Sequence, residues 1–350
     1  MKVSIIMPMY NSELYIGKTI KSILQQTYSN FELIIIDDCS TDECYKIASE
    51  YANKDHRIRL VRNTKNLGIS GNRNKGLSLA TGECIVFCDD DDILDKSLLN
   101  DNMAIMNDSS IDMIKFGREI ISVNSQGQEF DRKKTVFDVS GLIENKYDEY
   151  FKIRRSDALY NVWNGVYRKT LLDKFEIKFD ESMKYGGEDA DFSYRCYYYA
   201  NKIFINPKTY YKHYKRELTS TSRKYNINKV ESVLRGLQQE LRIWQRINFD
   251  NVYNRANRII ALNINIDNIM FSQFFHKESD LKYTQRKSIY NSFYVDTLRD
   301  NYILDRETKK ILKKISIKHY FISKIINTNN YKLIDSFYKL ASKIKNRKWK

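Results

Sequence analysis

Four consecutive aspartates, Asp89–Asp92, carry the strongest chemical signal in this sequence. They directly follow the apolar run Cys84–Cys88, whose composition is typical of a buried β-strand. Like charges this close repel by about 1–4 kcal/mol per pair at surface dielectric constants, so the cluster needs a cationic partner. Carboxylate oxygens suit Mg²⁺ or Mn²⁺, which commonly bind phosphates at the same time. The simpler interpretation is a solvated acidic turn that caps the helix predicted to begin near residue 95.

A predicted sheet positions these aspartates at one of its edges. Apolar segments predict strands at 3–9, 31–36, 57–62, 84–88 and 111–116, with amphipathic helices between them. This βαβ order is typical of a mostly parallel sheet, which binds ligands at the carboxyl ends of its strands. Asp38 follows one of those ends, as the acidic run does. Residues 117–160 are polar and predict an excursion over the site.

A second group of polar residues lies in the middle of the chain. Glu188 and Asp189 begin a predicted helix after two glycines, where the helix dipole favours acidic side chains. His213 lies near two predicted short strands, at 203–205 and 209–214. Dipole capping by the acids and a structural role for the histidine are the simpler alternatives.

The composition is that of a water-soluble protein with a basic tail. The sequence has no run of about 18 apolar residues, and Val3–Met9 predicts a strand rather than a signal peptide. The odd count of five cysteines predicts reduced thiols in a cytosolic protein. Residues 301–350 hold fourteen Lys and Arg against three Asp and Glu, so most of the net charge of +15 lies there. Such a tail suits an anionic membrane, an acidic polymer or solvent.

The motifs, taken in order, resemble the family-2 glycosyltransferases, which have the GT-A fold. The matching segments are Ser4–Asn11, Ile36–Asp42, Gly71–Gly76, Ala80–Glu83, Asp89–Asp92 and Gly187–Asp189. The resemblance covers residues 1–95 and 160–222. It implies an α/β GT-A domain at 1–224, with a nucleotide-binding half at 1–116 and an acceptor half at 117–224. The sheet would be Rossmann-like, mixed and mostly parallel. Residues 225–350 would form a helical, basic C-terminal extension.

The resemblance also assigns the donor site. Pro8, Tyr10 and Asn11 would cradle the base, with Tyr10 either stacked on it or buried in the core. Asp38 would accept the N3–H of uracil, although it could instead cap the helix at Ser40. Arg73 would lie beside the nucleotide, unless it forms only a surface salt bridge.

The remaining implied roles concern the metal and the chemistry. Asp91 would ligate Mn²⁺ or Mg²⁺, with Asp89 and Asp90 beside the donor and the register uncertain by one residue. His213 would be a further metal ligand. Asp189 would be the base that takes the proton of the acceptor hydroxyl. Arg216 and Ser220–Ser222 would close over the diphosphate.

The resemblance implies an inverting, metal-dependent enzyme that moves a sugar from a UDP-sugar to a hydroxyl of a surface glycan. The alternative is a non-catalytic module that binds sugar nucleotides in a membrane-associated complex. A nucleotidyltransferase is disfavoured because the N-terminal glycine-rich loop is missing. Gln239–Trp244 approximates a motif of processive synthases, but its Trp is displaced by one residue.

The tail suggests where such an enzyme would act. Tyr331, Leu333, Ile334, Phe337, Tyr338, Leu340, Ala341 and Ile344 can share one helical face with lysines around it. That face predicts either peripheral binding to the inner membrane surface or packing, including a homodimer through the C-terminal helices. Nucleic-acid binding is not expected, since no aromatic and basic recognition motif is present.

Overall fold

A computed structural model describes residues 1–183, 186–216, 225–293 and 297–347 of the chain. The chain divides into two compact units, Met1–Ser220 and Thr221–Lys350. Among the described residues, no helix is both long and apolar enough to cross a bilayer. All five cysteines are free thiols.

The first unit is built on a ten-stranded mixed sheet. Its strands are β1 (Val3–Met9), β2 (Phe31–Asp37), β3 (Ile58–Arg62), β4 (Cys84–Phe87), β5 (Ile93–Leu94), β6 (Ile111–Val123), β7 (Glu129–Lys134), β8 (Gly141–Ile143), β9 (Gly165–Arg168) and β10 (Lys202–Arg216). The order along the sheet is β3-β2-β1-β4-β9-β6-β10-β5, with β7 on β6 and β8 on β10. The pairs β2–β3, β1–β2, β1–β4 and β6–β10 are parallel. The predicted α/β fold class is confirmed.

Helices flank this sheet. They are α1 (Ile16–Leu24), α2 (Cys44–Ala52), α3 (Gly68–Leu79), α4 (Leu98–Met106), α5 (Tyr150–Arg155), α6 (Lys169–Lys174) and α7 (Glu188–Tyr199). Strand β1 is buried along its whole length, as is β4, because helices cover both faces of the parallel strands. The buried strands therefore hold fixed the loops that leave their carboxyl ends.

The structure corrects two predictions about the middle of the chain. Strand β6 does not end at residue 116 but continues to Val123 and turns back as β7, so residues 117–134 belong to the sheet. The short strands predicted at 203–205 and 209–214 are one strand, β10, whose register shifts between Asn206 and Thr209. Pro207 lies within that shift, where its missing N–H does not interrupt the ladder.

The second unit is helical, as the C-terminal pattern predicts. Its helices are α8 (Lys229–Trp244), α9 (Val252–Ile269), α10 (Tyr283–Phe293), α11 (Arg299–Asn301), α12 (Arg306–Ile315), α13 (Ile317–Ile326) and α14 (Tyr331–Arg347). A π-helical segment, Met270–Phe274, follows α9 directly. The helix α9 contacts α8, α12 and α13, so it lies at the centre of this unit.

Helix α14 buries only part of the apolar face that the sequence predicts. Tyr331, Ile334 and Tyr338 are buried, whereas Leu333 and Leu340 are 46% and 62% exposed. The two sets form neighbouring strips along the helix, because Tyr331, Ile334 and Tyr338 are spaced by three and four residues whereas Leu333 and Leu340 are seven residues apart. Helix α14 therefore packs with one side and presents a second apolar stripe to solvent.

Candidate active site

The acidic run lies where β4 ends, beside the end of β1. The backbone N–H of Tyr10 donates to Asp90 Oδ2 at 2.9 Å, and Thr19 Oγ1 donates to the Asp90 carbonyl at 3.0 Å. The N–H of Asp89 donates to Tyr211 Oη on β10 at 3.0 Å. Contacts from Thr19 and Tyr211 thus fix the backbone of the run, and the contact from Tyr10 fixes the Asp90 carboxylate.

The run carries more negative charge than its surroundings neutralise. Burial, with a smaller contribution from the neighbouring carboxylates, raises the pKa of Asp90 to about 7 and that of Asp91 to about 8. Burial also raises the pKa of Asp89, to about 6, although Arg73 opposes the shift. Arg73 and Arg216 thus do not fully offset the burial of these carboxylates, so this edge is suited to a further cation.

Arg216 forms an ion pair with Asp91 in this structure. Its Nη1 pairs with Asp91 Oδ2, and its Nη2 donates to the Asp91 carbonyl at 2.8 Å. The guanidinium also lies over the Tyr15 ring, with 3.9 Å between its central carbon and the ring centroid. Ser220–Ser222, which the sequence pairs with Arg216 in a closing loop, lie outside the described residues.

His213 faces the same edge and is oriented by Asp92. His213 Nδ1 lies 2.9 Å from Asp92 Oδ2, and the N–H of Tyr214 donates to Asp92 Oδ1 at 2.8 Å. Burial lowers the pKa of His213, but Asp92 outweighs it and the net shift is upward. The indole of Trp163 stacks on the imidazole, with ring centroids 5.0 Å apart. Because Asp92 engages Nδ1, Nε2 is the nitrogen suited to bind a metal.

Asp92 is a site residue that the motif comparison missed. Its side chain is fully buried and holds His213 rather than facing a ligand. The sequence did contain a signal for this residue, because the run has four aspartates and a three-residue metal motif does not need the fourth.

Arg73 joins the acidic run to helix α7. This guanidinium is 1% exposed and lies on α3. Its Nη2 donates to Asp89 Oδ1 at 3.1 Å, while its Nη1 pairs with Asp189 Oδ1 and lies 3.4 Å from Glu188 Oε1. The buried Arg73 guanidinium therefore holds the carboxylates of Asp89, Glu188 and Asp189 in one cleft. The prediction that Arg73 lies beside the nucleotide stays a prediction.

Two further contacts position Asp189. The N–H of Val162 lies 3.4 Å from Asp189 Oδ2, and the adjacent residue Asn161 is held by Lys115. Lys115 Nζ is fully buried and donates to the Asn161 carbonyl at 2.6 Å and to Tyr167 Oη at 2.8 Å. Burial lowers the pKa of Lys115 to about 7.

This buried lysine makes stability depend on pH. Between pH 7 and 10.5 the unfolded chain protonates Lys115 and the folded protein does not, so wild-type stability rises by about 1.4 kcal/mol per pH unit from this group. Below pH 7 both states are protonated and the slope disappears. The Lys115→Met variant lacks the slope, so its free energy of unfolding relative to wild type is expected to fall by about 3 kcal/mol between pH 7 and 9. Parallel pH profiles from urea unfolding of the two proteins would contradict this assignment.

The residues predicted to hold a base lie at the ends of β1 and β2. Tyr10 is 53% exposed, so its ring is not part of the core. Pro8 is buried within β1, and Asn11 Oδ1 accepts the N–H of Thr41 at 2.9 Å. Asp37 Oδ1, not Asp38, accepts the N–H of Ser40 at 3.2 Å.

Asp38 is 2% exposed and accepts hydrogen bonds at the start of α3. The amides of Leu67 and Gly68 donate to its two oxygens at 2.7 and 2.9 Å, and Asn63 Nδ2 donates at 3.0 Å. Gly68 has φ +73°, a conformation that favours glycine. Asp38 thus fixes the loop before Arg73, and its contact with a uracil stays a prediction.

The mixed sheet, its flanking helices and the acidic edge define a protein of the GT-A fold class. Structures of residues 1–349 of TarS from Staphylococcus aureus share this fold. The complex with UDP-GlcNAc superposes with a TM-score of 0.66 at 22% identity, covering 97% of this chain and 92% of that one.

Sequence comparison gives the family. Residues 4–175 match the model of glycosyl transferase family 2, and the chain belongs to that family. It is 33% identical over 222 residues to the poly(ribitol-phosphate) beta-N-acetylglucosaminyltransferase TarS of Staphylococcus aureus strain MW2, covering 62% of this chain and 36% of TarS. It is 41% identical over 181 residues to WfgD of Escherichia coli, a UDP-Glc:alpha-D-GlcNAc-diphosphoundecaprenol beta-1,3-glucosyltransferase, covering 51% and 64%. The chain thus spans about a third to two thirds of the length of these relatives.

Proposed function

We propose that this chain is an inverting glycosyltransferase that moves a sugar from a UDP-sugar to a hydroxyl group of a surface glycan. The observation that carries the proposal is the buried Arg73, which joins Asp89 of the acidic run to Asp189 on α7. A donor site and a candidate base therefore share one cleft. The names of TarS and WfgD, which include a poly(ribitol phosphate) and a diphosphoundecaprenol acceptor, support this substrate class.

Asp189 is suited to act as the base. Its Oδ2 accepts a long hydrogen bond from the Val162 N–H at 3.4 Å, a weak contact that leaves this oxygen able to accept a proton from the acceptor. As the acceptor oxygen attacks the anomeric carbon, its proton passes to Asp189 and the bond to the UDP oxygen breaks. Attack opposite the leaving group inverts the anomeric configuration and gives a β-linkage from an α-linked donor.

The acidic edge fits a divalent cation that is shared with the donor. Among the residues that the structure describes, no three acidic, histidine or cysteine side chains already surround a metal position. Mg²⁺ and related ions are often held by one or two protein ligands plus substrate phosphates. Asp91 and His213 would supply the protein ligands, and Arg216 would leave Asp91 when the cation binds. The cation would stabilise the charge of the departing diphosphate.

Release of UDP from a panel of nucleotide sugars tests this function. We expect turnover with UDP-glucose, UDP-galactose or one of their N-acetyl counterparts in the presence of a lipid-diphosphate sugar or a polyol-phosphate acceptor. GDP-mannose is the control, and EDTA is expected to stop the reaction until Mn²⁺ is added. Calorimetric binding of UDP without turnover on any donor and acceptor would favour the non-catalytic module instead.

We also propose that helix α14 binds the anionic surface of a membrane. Leu333, Leu340 and Ile344 form an exposed apolar stripe at spacings of seven and four residues. The exposed Lys332, Lys339 and Lys343 lie along one side of this stripe. Pairing two copies of the chain through this stripe would bring the like-charged lysines together, so an acidic lipid surface is the better partner.

Vesicle binding separates these two partners. The Leu340→Asp variant is expected to lose roughly tenfold in affinity for phosphatidylglycerol vesicles, because it buries less apolar area and adds a repelled charge. Val136→Asp, at a residue that is 77% exposed in the first unit, is the matched control. Equal binding to neutral phosphatidylcholine vesicles would contradict the proposal. So would a lipid-free dimer that Leu340→Asp dissociates.

A further inference from the structure

Arg118 on β6 is a buried cation with an incomplete set of partners. Arg118 is only 6% exposed, and its Nη1 donates to the Asp157 carbonyl at 3.1 Å. Its Nε is buried and has no acceptor. Among the described residues, no aspartate or glutamate forms an ion pair with it, so its charge is balanced by the Asp157 carbonyl, the Trp163 ring and a longer-range attraction to the Asp157 carboxylate.

Other buried cations of this unit are better compensated. Arg73 has three carboxylates, and Lys115, which burial shifts toward its neutral form, has three hydrogen-bond acceptors around its amino group. A buried guanidinium without a counter-ion is unfavourable, because burial removes its hydration without replacing it. Arg118 is therefore a buried cation whose chemistry is suited to an external anion.

Arg118 lies one aromatic ring away from the reacting groups. Its central guanidinium carbon is 5.4 Å from the centroid of the Trp163 ring, and that ring stacks on His213. The residue before Trp163, Val162, donates its N–H toward Asp189. Arg118 and Asp189 therefore contact adjacent residues of one segment, Trp163 and Val162, which places Arg118 near the side of the cleft proposed for the acceptor.

We propose that Arg118 binds an acidic group, a phosphate or a carboxylate, on the acceptor. The inference rests on the proposed function and narrows its substrate class to anionic acceptors. A planar guanidinium matches the two oxygens of either group, and stacking against Trp163 holds its plane. The donor diphosphate is assigned instead to the acidic run, and among the described residues Arg118 forms no ion pair with that run.

Trp163 provides a local reporter of this binding. The sequence has three tryptophans, and Trp244→Phe with Trp349→Phe leaves Trp163 alone. With UDP and Mn²⁺ at saturating concentrations, this protein is titrated with sn-glycerol 3-phosphate and with glucuronate. Glycerol and glucose are the neutral controls. We expect a saturable change in Trp163 fluorescence with at least one anion and none with either neutral compound.

The responses identify the anion and test the role of Arg118. A response to glycerol 3-phosphate alone indicates a phosphate-bearing acceptor, and a response to glucuronate alone indicates a uronic acid. Arg118→Met is expected to raise the dissociation constant of the anion by at least tenfold. Arg118→Lys should raise it less, because lysine keeps the positive charge but lacks the planar guanidinium that can donate two parallel hydrogen bonds. Calorimetric binding of UDP should stay unchanged in both variants.

Separate results overturn the two proposals. If UDP does not bind to the wild-type chain, the proposed function fails. If UDP binds but neither anion changes the fluorescence, or neutral compounds act equally, the anion site is refuted. Should Arg118→Met not fold, an unchanged anion affinity in Arg118→Gln would refute it in the same way.

Discussion

The Asp189→Asn variant is expected to transfer sugar about a thousandfold more slowly than the wild type, because a general base contributes roughly 10²–10⁴ to such rates. An amide has nearly the same shape but cannot take the proton of the acceptor hydroxyl. Binding of UDP should change by less than about twofold, since Asp189 lies on α7 and not at the acidic run. Steady-state release of UDP, with calorimetry for donor binding, measures both quantities.

Asp191 provides the matched control for this prediction. It lies on the same turn of α7 and pairs with Arg195 rather than with Arg73. Asp191→Asn removes the same charge from the same helix, so its turnover is expected to stay within a few fold of wild type. Equal losses in the two variants would show that the charge of the helix, and not one carboxylate, determines the rate. Wild-type turnover in Asp189→Asn would remove Asp189 from the mechanism.

Replacing Arg73 with methionine is expected to destabilise the protein by about 3–5 kcal/mol, the usual result of removing one partner from a buried ion pair. Asp89, Glu188 and Asp189 would then face one another without a cation. Burial and Asp189 already raise the pKa of Glu188 to about 7. The loss should therefore be smaller at pH 5, where protonation removes the unpaired charges, than at pH 8. Urea unfolding at both values measures it.

The control is Arg73→Lys, which keeps the positive charge but cannot reach all three carboxylates with a rigid fork. We expect this variant to recover part of the stability and less of the turnover. A destabilisation of Arg73→Met that is the same at pH 5 and pH 8 would contradict the electrostatic explanation, since packing loss alone does not depend on pH.

Local patterns predicted the nucleotide half of the sheet well. Strands β1, β2 and β4 are continuous apolar runs, and their period and flanking turns need no distant partner to be recognised. The extension of β6 was missed because Arg118 and Glu119 look like surface residues. Their burial depends on β10 and the loop near residue 161, which local sequence does not reveal.

The candidate site, like the sheet, could be predicted from the sequence only in part. The residue types and the order of the motifs located Asp89–Asp91, Asp189 and His213 at one cleft. The partners were not predictable, because Asp92 with His213, Arg216 with Asp91 and Arg73 with Glu188 are contacts between residues more than 100 positions apart. Asp38 shows the same limit, since its amide donors at Leu67 and Gly68 follow from the shape of one loop.

Arg73 pairs with acidic residues that are far apart in the sequence, and this has a consequence for biosynthesis. Asp89 leaves the ribosome 16 residues after Arg73, whereas Asp189 follows 116 residues after it. During that interval the guanidinium of Arg73 can pair with Asp89 but not yet with Glu188 or Asp189, so the acidic run is not yet joined to α7. The cleft is therefore assembled late in translation, and a chain that stops before α7 would carry the acidic run without a completed active site.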